Sequence, residues 1–71
     1  MIKEFGKVAL NNDIPGTGLH AGTEGVVVMV YGEGAAYEVE FFSPDGRTIA
    51  VETIEAGKLH LVDRNHKELA I

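Results

Sequence analysis

The chain contains no cysteine and no tryptophan, and among its 71 residues there are only two prolines and a single serine. Without cysteine it has neither a disulfide framework nor a thiolate metal site, the two usual staples of very small domains. With no thiol, and with Ser43 committed to a turn, the sequence offers no nucleophile of the kind used by serine or cysteine hydrolases. Positive charge is also scarce. Six Lys and Arg stand against eleven Asp and Glu, a net charge of −5, and the basic residues are scattered at Lys3, Lys7, Arg47, Lys58, Arg64 and Lys67. Proteins that track nucleic-acid phosphates draw their non-specific affinity from clustered Lys and Arg, so this balance disfavours a nucleic-acid partner. Long apolar runs are missing as well. The longest, Val26 to Tyr31, falls far short of a helical membrane span, and Met1 to Phe5 lacks the apolar core of a signal peptide. No membrane partner is expected, and the expected location is the cytoplasm.

What is present is the composition of a folded chain, 45% hydrophobic and 24% charged. The length allows one small domain, which buries only roughly 60% of its unfolded surface. Nine glycines and the two prolines cut the sequence into short segments, none periodic enough for a sizeable helix, and that pattern predicts an all-β fold. Lys7 to Asn11 reads as a first strand with Val8 and Leu10 inward. Asn12 to Gly22, with Pro15, Gly16, Gly18 and Gly22, reads as a long excursion anchored by Leu19. Val26 to Tyr31 is a strand apolar on both faces, turned back by Gly32-Glu33-Gly34. Ala36 to Phe42 alternates, with Tyr37, Val39 and Phe41 on the core side and Glu38 and Glu40 outside.

The turn Ser43-Pro44-Asp45-Gly46-Arg47 carries the strongest local signal, with proline where φ is near −65° and glycine where φ is positive. A three-residue loop pairs Ser43 with Arg47. Counting back sets Phe41 opposite Ile49, Val39 opposite Val51, and Glu38 opposite Glu52 on the outer face. Pairing Val28 with Val39 and Val30 with Tyr37 across the preceding hairpin sends Val27 and Met29 to that outer face; a one-residue shift swaps the two sets. A single helical turn at Glu55 to Lys58 and a closing strand, Leu59 to Val62 with Leu59 and Leu61 inward, complete five strands. The expected architecture is a small five-stranded SH3-like barrel over residues 1–62, with a long first loop and one helical turn before the last strand. Residues 63–71 form a tail, with Asn65 and Glu68 at capping-box spacing and Leu69 and Ile71 available to dock.

No constellation carries chemistry by itself. Gly16-Thr17-Gly18-Leu19-His20-Ala21 matches the letters of a dinucleotide fingerprint, but that motif needs a buried strand before it and a full helix after it. Here Pro15 precedes and glycines follow, so no cofactor is expected. His20, His60 and His66 lack the spacing that brings two imidazoles onto one metal, and Glu38 with Glu52 is one outward pair, so no metal is expected either. Outward carboxylates are ordinarily wet and poor general acids, so no catalytic residues and no enzymatic activity are expected. What remains is a mixed outer patch in which Val27, Met29 and Tyr31 interleave with Glu38, Glu40 and Glu52, with His20 on the neighbouring loop. It is either an ordinary barrel exterior or a contact surface. Exposed apolar area rimmed by one sign of charge suits a basic protein partner or a second copy of the same chain, which makes a homodimer a second expectation.

The segments Leu19-His20-Ala21-Gly22-Thr23-Glu24-Gly25-Val26-Val27, Ala36-Tyr37-Glu38-Val39-Glu40-Phe41 and Asp45-Gly46-Arg47-Thr48-Ile49-Ala50 resemble the small bacterial proteins of domain-of-unknown-function family 4926. The resemblance runs from about Ile2 to Val62. It implies a small SH3-like barrel in a stand-alone bacterial or cyanobacterial protein, and no catalytic residues to carry over. Some such proteins are encoded beside other small proteins, so the resemblance leaves room for a cognate-partner or antitoxin-like role. The Ala-Gly-Thr-Glu-Gly-Val-Val stretch also resembles KOW-type barrels of ribosomal and transcription proteins. It departs from them in having Glu24 before Gly25 and no Lys or Arg between Lys7 and Arg47. The functional expectation is therefore a non-enzymatic protein-interaction module. The alternative is a KOW-like RNA- or ribosome-associated module.

Overall fold

The computed structural model describes residues 2–62. Within them lie five strands, β1 (Lys7–Leu10), β2 (Glu24–Tyr31), β3 (Ala36–Phe42), β4 (Thr48–Glu55) and β5 (Leu59–Leu61), and one 3-10 turn, Ala56–Lys58, before β5. The strands form one antiparallel sheet in the order β4-β3-β2-β1-β5. Among the described residues the ladder does not close, and β4 and β5 are its edges. The readings made for Asn65, His66, Glu68, Leu69 and Ile71 lie outside the described residues.

β3 forms because its alternation meets a core on one side only. Tyr37, Val39 and Phe41 are buried, joined by Val8, Leu10, Leu19, Val27, Ile54 and Leu59. Leu19 anchors the long loop, whose base is tied by Leu10 N–H to the Thr23 carbonyl and Gly22 N–H to the Leu10 carbonyl. Inside it, Ile14 bridges Leu19, and Thr17 Oγ1 donates to the Ile14 carbonyl at 2.7 Å. The glycine motif is therefore a tight turn that leads into β2, and the helix a dinucleotide would require is not there. At the other end of the sheet, Ile2 packs on the core and donates its N–H to the Tyr37 hydroxyl at 3.0 Å.

Two one-residue register shifts correct the sequence-based pairing. The first is in β2, where Val27 pairs with Val39 and Met29 with Glu38, leaving Val28 unopposed. Val30 pairs with Tyr37 as expected, but Val27 turns into the core and is completely buried. The extra residue is the physical reason a run apolar on both faces fits: it lets Val27 and Val30 both face inward. The second shift lies in β4. Phe42 pairs with Thr48 and Phe41 with Ala50, so Ile49 is the extra residue. Every pair beyond it changes parity. Val39 faces Glu52, Glu40 faces Val51, and Tyr37 faces Ile54. Ile49 and Val51 are each 50% exposed, and Ile54 takes the buried position instead. Leu61 also departs from expectation. It lies across from Val8 at the sheet edge but remains exposed, while Leu59 is buried.

Candidate functional site

The face of the sheet turned away from the core collects the residues of interest. Across β2, β3 and β4 the register sets Met29 beside Glu38 and Thr53, and Val26 beside Glu40 and Val51, with Tyr31 opposite Ala36. Met29, Tyr31 and Val51 are exposed apolar side chains on this face. Each carboxylate takes a hydroxyl from a diagonal neighbour. Tyr31 Oη donates to Glu38 Oε1 at 2.5 Å, and Thr48 Oγ1 donates to Glu40 Oε2 at 2.5 Å. The bond to Glu38 holds the Tyr31 phenol above its ordinary value of 10.0, because ionising it would put a second negative charge against the carboxylate. Among the described residues, the ion pairs are Lys7 with Glu24, His20 with Asp13, Arg47 with Asp45 and Lys58 with Glu55. Among the described residues neither Glu38 nor Glu40 has a cation against it.

Four of the seven residues assigned from sequence, Met29, Tyr31, Glu38 and Glu40, are thus brought together. Three are not. Val27 is in the core. Glu52 lies opposite Val39, on the core side of the edge strand, because of the parity change at Ile49. The proposed Glu38–Glu52 pair therefore does not exist: the two side chains leave the sheet on opposite faces. His20 is exposed but sits at the far end of the sheet from Tyr31. It lines an open groove of about 780 Å³ with Lys7, Glu24, Phe42, Pro44 and Ile49 among the other walls. Its Nδ1 is 3.7 Å from Asp13 Oδ2, and Asp13 in turn accepts the Ala21 N–H at 2.8 Å, which holds its carboxyl below the ordinary 3.8.

Val51 and Thr53 belong to this face and were missed. The signal for them was Ile54, which the uniform register sets opposite Ala36, whereas moving β4 by one residue brings it to Tyr37. Among the described residues no group of three His, Asp or Glu side chains gathers as a metal site. No helix among them is long and apolar enough to cross a membrane. His60 Nδ1 lies 2.5 Å from Asn11 Oδ1, and Asn11 Nδ2 donates to the Gly57 carbonyl, a junction that ties the 3-10 turn and β5 to the end of β1.

A family model described as a domain of unknown function (DUF4926) matches residues 4–61. The chain belongs to that family. The DUF4926 span includes all five strands and the whole open face. No curated protein and no solved structure matches the chain.

Proposed function

We propose that this DUF4926 chain is a cytoplasmic, non-enzymatic protein-interaction module that takes a basic partner protein on the open face of β2, β3 and β4. The observation that carries the reading is the pair Glu38 and Glu40, without a cation among the described residues, beside exposed Met29, Tyr31 and Val51. Apolar area supplies the affinity of such a surface, and unpaired charge of one sign selects its partner. The finer fold reading that accompanies it is an SH3-like barrel. The strand order, the long first loop and the 3-10 turn before β5 favour it, and a register shift within β2 gives that strand the bend that coiling a sheet requires.

The test is affinity capture from the native bacterial lysate with wild type, Met29→Lys and Glu40→Lys, identifying bound proteins by mass spectrometry. The expected result is one stoichiometric basic protein, released by salt, that both variants lose while their circular dichroism is unchanged. Equal recovery by all three proteins rejects the assigned face. Retention of the wild type on a polyanion column at low salt would instead favour the KOW-like reading.

A further inference from the structure

The open face extends to Val62, the last described residue. Val62 N–H donates to the Lys7 carbonyl at 2.8 Å, which continues the β1–β5 ladder by one residue and sets Val62 opposite Lys7. Lys7 pairs with Val26, Val26 with Glu40 and Glu40 with Val51. Ladder partners share a face, so these five residues form one row across the sheet, on the side that carries Glu38. The direction of exit is fixed as well. β5 is antiparallel to β1 and β1 is antiparallel to β2, so β5 runs the same way as β2. The chain therefore leaves Val62 heading for the end of the face that holds Met29, Tyr31 and Glu38.

The sequence that follows is Asp63-Arg64-Asn65-His66-Lys67-Glu68-Leu69-Ala70-Ile71, beyond the family match, which stops at residue 61. It holds two of the six basic residues; of the other four, Lys7, Arg47 and Lys58 are paired with Glu24, Asp45 and Glu55. We infer that residues 63–71 dock on the open face of their own chain, with Arg64 and Lys67 against Glu38 and Glu40, and with Leu69 and Ile71 against Met29 and Tyr31. Alternation separates the charges. Continued from Val62 it gives Arg64 the open side and turns Asp63 away, and it sets Lys67, Leu69 and Ile71 on one side with Glu68 on the other. Asn65 and His66 lie between these two runs, where the chain turns across the sheet. The reach is sufficient. β5 and β3 are three strand spacings apart, roughly 14 Å, and nine extended residues span up to roughly 30 Å. Tethered beside the face, the segment competes with any basic partner at an effective concentration on the order of millimolar. That competition rests on the function proposed above; the docking itself does not.

Paramagnetic relaxation on the full chain tests the docking. The chain has no native cysteine, so Ala70→Cys carries a single nitroxide. In dilute protein the Met29 methyl and Glu38 amide signals are expected to lose most of their intensity relative to the reduced label, while the Thr17 amide in the long loop keeps its own. Glu38→Lys with Glu40→Lys is expected to restore the intensity. So is Arg64→Glu with Lys67→Glu, which leaves β1 to β5 unaltered. Combining all four reversals is expected to bring the loss back. Isotope-labelled wild type mixed with spin-labelled chain is expected to show no loss. Full intensity at Met29 and Glu38, a loss that survives either charge reversal, or a loss that passes to the mixed chains would overturn the proposal. The two readings also fail separately. A basic protein captured equally by wild type and by Arg64→Glu with Lys67→Glu, with no loss at Met29, rejects the docking and leaves the proposed function standing. Loss at Met29 with no protein captured does the reverse.

Discussion

Gly25 stands opposite Phe41 in the β2–β3 ladder, so close to β3 that a Cβ on it would lie 2.6 Å from the Glu40 carbonyl oxygen and 2.7 Å from Val39 Cγ1. The nearest obstacle is backbone of β3, which has no rotamer to change. The same glycine faces Val8 in β1, so the close approach fixes how three strands meet over the core.

Gly25→Ala is therefore expected to destabilise the domain by about 1–3 kcal/mol, the usual cost of overpacking. Urea denaturation checks it, with a lower midpoint at unchanged slope as the expected outcome.

The parity of β4 is open to a paired comparison. Ile54 is buried against Tyr37 and Ile49 is half exposed beside the turn. Ile54→Ala is expected to cost about 2–5 kcal/mol, as for other core truncations. Ile49→Thr, at the surface, is expected to stay within about 0.5 kcal/mol of wild type. The reverse ranking would restore the uniform register that pairs Phe41 with Ile49.

Tyr31 and Glu38 make a prediction at high pH. The phenol of Tyr31 is held above 10.0 in the folded protein by its bond to Glu38. Its contribution to stability is present below the unfolded value and is lost as pH rises through the folded one. In Glu38→Gln the Tyr31 midpoint is expected to fall back toward 10.0, read from the ring-carbon chemical shift by NMR titration.

Asp13 makes the opposite prediction at low pH. The Ala21 N–H is the main cause of its depression, with His20 adding to it and partial desolvation opposing it. The loop contact is fully present above the ordinary 3.8 and is lost as pH falls through the lower folded value. The Ala21 amide shift should titrate with a midpoint below 3.8 in wild type. In Asp13→Asn, whose amide oxygen can still accept the bond, it should stay flat.

The sequence by itself determined the five strands, the core side of β3, the turn at Pro44 to Gly46 and the acidic character of the open face. These follow from local rules: alternation with a period of two, φ preferences of proline and glycine, and the count of charges. It did not determine which face of β2 or β4 is buried. Val26 to Tyr31 is apolar on both sides, and Thr48 to Glu55 has apolar and polar residues at both parities, so neither pattern names an inner face. That choice was made by packing. One extra residue at Val28 allows Val27 and Val30 both to reach the core, and one at Ile49 gives Ile54 to Tyr37 and sends Val51 out beside Glu40. A single-residue insertion in a ladder flips every side chain beyond it. For that reason Val27 and Glu52 left the candidate surface, and Val51 and Thr53 entered it.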